Sequence, residues 1–234
     1  MPAGERSFEF EWPFDEFAFE PEKMKGNICI FASARNVTSG LMRQAYRLGD
    51  SIARRNLGIV YGGTDSGLMH EVALGVLSNG GRVTSVLPVA NLWQTENFGS
   101  NDVPLGPTSA DSVREVQLSP QEKLVLTGSL EQRKRSMLDL SDAVIALPGG
   151  VGTFDEIATT FEMGRGYAMR GAESRVALVN TDGYYEGIRF MLDVMNRYRT
   201  ADGPSQDFAY FADDAQQALD YVCTQIESSA NEGI

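Results

Sequence analysis

A chain of 234 residues suits one large α/β domain, and 42% hydrophobic with 22% charged residues is the composition of a globular protein with a substantial core. Twenty Lys and Arg against 32 Asp and Glu give a net charge of −12, which excludes a general binder of nucleic acid or anionic membrane, since either needs a basic face. A small anionic ligand stays compatible, because a pocket needs only local positive charge. Cys29 and Cys223 make neither a disulfide framework nor a CxxC pair, and a single histidine, His70, leaves no Cys/His zinc site. No apolar run reaches bilayer-spanning length, and the N-terminus lacks the basic start and apolar centre of a signal peptide, so the expected location is the cytoplasm.

Residues 1–25 stand apart as an acidic, aromatic arm. Phe8, Phe10, Trp12, Phe14, Phe17 and Phe19 alternate with Glu9, Glu11, Asp15, Glu16 and Glu20, a pattern expected to lie against its own domain or a sister subunit. From residue 26 to 234 the chain reads as a single domain of alternating strands and helices. Asn27–Ser33 is a continuous apolar run, the mark of a strand buried on both faces. A helix is predicted over 39–55, a strand over 58–61, a helix over 67–78 and a strand over 82–87 closed by Pro88. Residues 89–119, rich in Asn, Gly, Ser and Pro, read mostly as a long surface excursion. Strands at 123–127, 142–147 and 175–180 then alternate with helices at 129–141, 151–165, 184–198 and 214–226, with Ser129 as an N-cap. The expected fold is a doubly wound parallel sheet, a Rossmann-like three-layer α/β/α arrangement, with ligands at the strand C-terminal edge where strand order reverses.

Two glycine-rich loops leave strands on that edge: Tyr61-Gly62-Gly63-Thr64-Asp65-Ser66-Gly67 and Pro148-Gly149-Gly150-Val151-Gly152-Thr153-Phe154-Asp155-Glu156. A helix N-terminus offers unpaired N–H groups and a dipole that attract an anion, most naturally a phosphate, and glycine lets the ligand approach closely. The same glycines also serve a plain strand-to-helix turn, and it is their occurrence twice on one edge that favours a phosphate site. Neither loop has the lysine of a P-loop or the GxGxxG spacing of a dinucleotide site. Thr153 offers a hydroxyl to such a phosphate. Glu156 falls one turn into the helix on the same face, although an acid there also serves simply to stabilise the helix start. Arg133, Lys134 and Arg135 are the densest basic cluster in the chain, and either form a solvated helix face or neutralise a ligand's charge.

These residues are similar to those of the Lonely Guy family of nucleoside 5′-monophosphate phosphoribohydrolases, long labelled lysine decarboxylase-like. The segment 148–156 matches that family's PGGxGTxxE motif, Arg133-Lys134 with Met137 resembles its RKxxM element, and Tyr61-Gly62-Gly63 with Gly67-Leu68-Met69 resembles YGGGxxGLM. The opening strand and Asn180–Tyr185 also look similar, so the resemblance covers roughly residues 27–225. It implies hydrolysis of an N-glycosidic bond to free base and ribose 5-phosphate, with Glu156 and Arg133 as the catalytic pair and no metal or organic cofactor. Gly149, Gly150, Val151, Gly152 and Thr153, with Gly62 and Gly63, would bind the 5′-phosphate. Ser33, Lys134, Met137 and Trp93 are further candidates for substrate contact, although Met137, like Met69 and Met163, is most simply core. Trp93 and Phe98 are candidates to stack on a base, although an anchor that packs locally within the excursion is the plainer reading. The resemblance also implies a homodimer or higher homo-oligomer. Departures are Thr64 for the third glycine, His70 after Gly67-Leu68-Met69, Leu130-Glu131 before Arg133, and the long excursion. They motivate the alternative of a non-catalytic nucleotide or cofactor carrier on the same fold. Decarboxylation is set aside, for no lysine stands in a pyridoxal-phosphate context.

Overall fold

The computed structural model describes residues 25–89, 113–168, 174–201 and 203–232. Eight strands form one sheet in the order β4-β5-β3-β2-β1-β6-β7-β8. They are β1 (Gly26–Phe31), β2 (Leu57–Tyr61), β3 (Val83–Pro88), β4 (Val113–Gln117), β5 (Glu122–Thr127), β6 (Ala143–Ala146), β7 (Val176–Val179) and β8 (Tyr210–Ala212). The helices are α1 (Ser39–Arg54), α2 (Gly67–Leu77), α3 (Leu130–Asp139), α4 (Val151–Ala168), α5 (Glu186–Arg197), α6 (Ser205–Phe208) and α7 (Ala215–Glu232).

Every residue of β2, β6 and β7 is buried, as continuous apolar runs require in a sheet covered on both faces. Along β1 the side chains alternate between two cores. Ile28 and Ile30 join Leu48 and Ile52 of α1, Val72 of α2 and Val222 of α7. Cys29 and Phe31 join Met137 of α3, Ile157 of α4 and Tyr185 just before α5. The three layers follow from this alternation, which is the period-two geometry of a strand.

Two expectations about the elements need correction. Residues 113–117, read as part of the excursion, form β4, an antiparallel edge strand paired with β5 from Val113↔Thr127 to Gln117↔Lys123. It carries only two apolar residues because one face is wet: Val116 packs on Leu87, Leu124 and Leu126, and Glu115 pairs with Lys123 at 2.6 Å. The sheet is therefore not wholly parallel. At the other edge the three-residue β8 and the single-turn α6 were also unforeseen, too short to leave a periodic signal. The aromatic arm, save Lys25, lies outside the described residues, as do residues 90–112. No helix among the described residues is long and apolar enough to cross a membrane.

Candidate functional site

Strand order runs outward from β1 through β2, β3 and β5 on one side and through β6, β7 and β8 on the other, so the switch point lies between β1 and β6. Both glycine loops meet there through Ser33. Its N–H donates to the Pro148 carbonyl at 3.2 Å, and its carbonyl accepts from the Leu68 N–H at 2.8 Å. Its hydroxyl caps the local turn by accepting from the Arg35 N–H at 3.0 Å. Ser33 thus joins the end of β1 to the start of α2 and to the loop after β6.

Helix α3 begins at Ser129, whose hydroxyl accepts from the Gln132 N–H at 3.1 Å, as its N-cap position predicts. One turn in, Arg133 reaches across the sheet edge. Its Nε donates to the Val86 carbonyl at 3.1 Å and its Nη1 to Glu156 Oε1 at 3.0 Å. Both side chains are largely withdrawn from water, at 14% and 8% exposure. A Cβ built on Gly62 would collide with Arg133 Nη2, so glycine at this position makes room for the guanidinium. Gly63, at φ +71°, adopts the left-handed backbone, and a Cβ there would strike Leu87. Gly62 and Gly63 therefore accommodate this chain's own side chains, while Gly67, at φ +74°, lies against the backbone of residues 33–35.

Glycines of the second loop divide in two. Gly149 lies against Thr153, which is 4% exposed and whose hydroxyl has no hydrogen-bond partner among the described residues. A Cβ on Gly150 or on Gly152 would meet nothing within 4 Å. Nothing in the described protein requires glycine at these two positions, and they leave free space at the N-terminus of α4. The N–H groups of Gly150, Val151, Gly152 and Thr153 meet no acceptor among the described residues, and the first recorded bond of the helix runs from the Phe154 N–H to the Gly150 carbonyl at 3.0 Å. Val151, at the first position of α4, is 85% exposed.

The electrostatics of the pair are set by burial. Withdrawal from water raises the Glu156 carboxyl above its ordinary value, by more than the Arg133 guanidinium beside it lowers it. Only Oε1 of Glu156 is bonded to Arg133, and Oε2 has no partner among the described residues. A carboxylate so placed can accept a proton or stabilise developing positive charge, beside helix N–H groups able to hold an anion.

Other candidates fall differently. Lys134 lies one residue along α3 and forms a second crossbar to α4, with its Nζ 3.2 Å from Asp155, 3.1 Å from Thr159 and 3.3 Å from Glu131. Those partners use its charge within the protein. Arg135 is exposed and 3.6 Å from Glu131. The basic cluster is thus matched by Glu131, Asp155 and Glu156, and the expected patch of free positive charge is a set of ion pairs. Met137 is fully buried with Cys29 and Phe31 in the core beneath the sheet edge. His70 is half-buried on α2. Trp93 and Phe98 lie outside the described residues. Thr64 carries a buried hydroxyl without a hydrogen-bond partner among the described residues. Among the described residues no three His, Cys, Asp or Glu side chains gather to hold a metal.

Sequence reasoning missed the hydroxyls of Tyr184 and Tyr185. Tyr184 Oη donates to the Gly149 carbonyl at 2.8 Å and Tyr185 Oη to the Leu147 carbonyl at 2.6 Å. The only signal was the likeness of Asn180–Tyr185 to the family, which says nothing of a reach back to the second loop.

The family model described as "Possible lysine decarboxylase" matches residues 69–222. A probable cytokinin riboside 5′-monophosphate phosphoribohydrolase of rice, LOGL9 (Oryza sativa subsp. japonica), is 34% identical over 172 residues, 71% of this chain and 63% of that protein. The cytokinin riboside 5′-monophosphate phosphoribohydrolase LOG4 of Arabidopsis thaliana is 33% identical over 170 residues, 72% of this chain and 68% of that protein. The chain belongs to the Lonely Guy family. The matched span thus covers less than two thirds of the rice relative and slightly more of the Arabidopsis one. Among solved structures, the molybdenum cofactor carrier protein of Chlamydomonas reinhardtii aligns with a TM-score of 0.57 at 20% identity, over 86% of this chain and 98% of its own. That likeness is one of fold alone, a mostly parallel α/β sheet.

Proposed function

We propose that this protein hydrolyses the N-glycosidic bond of a nucleoside 5′-monophosphate, releasing the free base and ribose 5-phosphate. The observation that carries this reading is the buried Arg133–Glu156 pair, 3.0 Å apart, in line with the open N-terminus of α4 at the sheet's switch point. Relatives at 33–34% identity are named for this activity on cytokinin nucleotides. The 5′-phosphate sits on the free N–H groups of residues 150–153, with the Thr153 hydroxyl as a further donor. As the bond from C1′ to the base nitrogen breaks, its electron pair leaves with the base and the ribose gains oxocarbenium character. Ionised Glu156 stabilises that charge and takes a proton from the water whose oxygen bonds to C1′, while the departing base is protonated by solvent. Arg133 fixes the carboxylate and the sugar in register. No metal or organic cofactor enters these steps.

Incubating the purified protein with AMP, CMP, GMP, UMP and an N6-prenylated AMP is expected to release free base from at least one of them. The corresponding nucleosides, lacking phosphate, should be poor substrates. A bound nucleotide that survives uncleaved throughout the panel would instead make the protein a carrier.

The active form is a homodimer, in the cytoplasm, where the two free cysteines stay reduced. Support for the pairing comes from α5, on which Phe190, Met191 and Met195 stand exposed, with Tyr198 exposed just beyond its end. Phe190→Asp should convert the sedimenting species from dimer to monomer. A dimer that persists unchanged would exclude the α5 face as the interface.

A further inference from the structure

The carbonyls that open the second glycine loop are all engaged. Tyr185 Oη donates to Leu147, the Ser33 N–H to Pro148, and Tyr184 Oη to Gly149. The third contact matters most. In an α-helix the N–H of residue i bonds to the carbonyl of i−4, so the Gly149 carbonyl is the natural acceptor for the Thr153 N–H. That bond does not form, and the carbonyl accepts from Tyr184 instead. If it did form, α4 would begin one residue earlier and the Thr153 N–H would be withdrawn from the donors at its anion-binding end.

We infer that Tyr184 is a positioning residue for phosphate binding: its hydroxyl holds the Gly149 carbonyl out of the helix and keeps the N–H groups at residues 150–153 open to a phosphate monoester. This rests on the proposed nucleotide site and assigns it a support outside both family motifs at that site. The tyrosine pair is itself held firmly. Asn180 Oδ1 accepts from the Tyr185 N–H at 2.7 Å, and Asn180 Nδ2 donates to Glu186 Oε1 at 2.6 Å. The two rings meet edge to face with centroids 5.1 Å apart. Tyr185 is buried, and its hydroxyl serves the fold as well as the loop. Tyr184 is 53% exposed, so its hydroxyl can be removed without opening the core.

The test uses the full chain and its Tyr184→Phe variant, with ribose 5-phosphate as the calorimetric probe and base release as the second readout. Tyr184→Phe should weaken ribose 5-phosphate binding about 5- to 10-fold, the usual effect of losing one neutral hydrogen bond. KM for the nucleotide should rise by a similar factor, while kcat stays within about 2-fold and the melting temperature is unchanged, because the hydroxyl acts on the loop that receives the phosphate and not on the reacting bond. Tyr185→Phe should raise KM and also lower the melting temperature. Equal ribose 5-phosphate binding by wild type and Tyr184→Phe would overturn the assignment, as would a loss of kcat with KM unchanged. Wild-type protein that binds ribose 5-phosphate but releases no base would overturn the hydrolase reading alone. Wild-type protein that binds no ribose 5-phosphate would overturn both.

Discussion

Glu156→Gln should lower kcat for base release by about 10²- to 10⁴-fold, the range a positioned acid–base group supplies. Glutamine keeps the size of the side chain and an oxygen for Arg133 Nη1, but it cannot accept a proton or meet the charge that develops on the sugar. The Oε2 atom, which no described residue engages, is the position from which the carboxylate would act. A second signature lies in the pH profile. Because burial raises the Glu156 carboxyl, the acid limb of kcat/KM in the wild type should fall above the usual carboxylate value of 4.5, and the variant's residual activity should lack that limb. Stability follows the same group. With the folded value raised, the native state holds its proton more tightly than the unfolded chain. This contribution is therefore complete below about pH 4.5 and is lost as pH rises through the folded value. Chemical denaturation across that window should show a decline in the wild type that Glu156→Gln lacks. Undiminished turnover in the variant would remove Glu156 from the chemistry.

Gly152→Ala separates binding from folding. A Cβ at this position meets nothing within 4 Å, and the residue lies in the first turn of α4, where alanine is the better helix former by about 0.5–1 kcal/mol. The variant should be as stable as the wild type or slightly more so. Its KM for the nucleotide should nevertheless rise at least about 10-fold, since the new methyl group occupies the space into which the phosphate must come. Gly62→Ala and Gly149→Ala give the contrast, because their methyl groups would strike Arg133 and Thr153 and so harm fold and function together. An unchanged KM in Gly152→Ala would place the phosphate elsewhere.

Much of the fold was legible because burial on both faces leaves a one-dimensional trace. The runs at Leu57–Tyr61, Ala143–Ala146 and Val176–Val179 are apolar throughout, and the glycine loops that follow the first two mark the sheet edge that carries the site. Arg133 and Glu156 were legible through their motifs, and the structure brings them into contact across 23 residues of chain. What escaped depended on partners distant in sequence. β4 is half solvated, so its pairing with β5 is written in register and not in hydrophobicity. Lys134 read as free positive charge because nothing in the sequence says that α3 and α4 lie alongside each other with Asp155 opposite. The tyrosine hydroxyls act on carbonyls 35 and 38 residues back, a relation that no local pattern encodes.

Pairing the cations of α3 with acids of α3 and α4 has a kinetic consequence. A chain of net charge −12 should repel a dianionic nucleotide at long range, and among the described residues Arg133 and Lys134 are already paired with Glu156 and Asp155. On the proposed reading attraction would begin only at contact, where the backbone N–H groups of α4 would take hold of the phosphate. Encounter with the nucleotide is therefore expected to be slow in dilute buffer and to quicken as added salt screens the repulsion, the opposite of what a lysine-lined phosphate site shows.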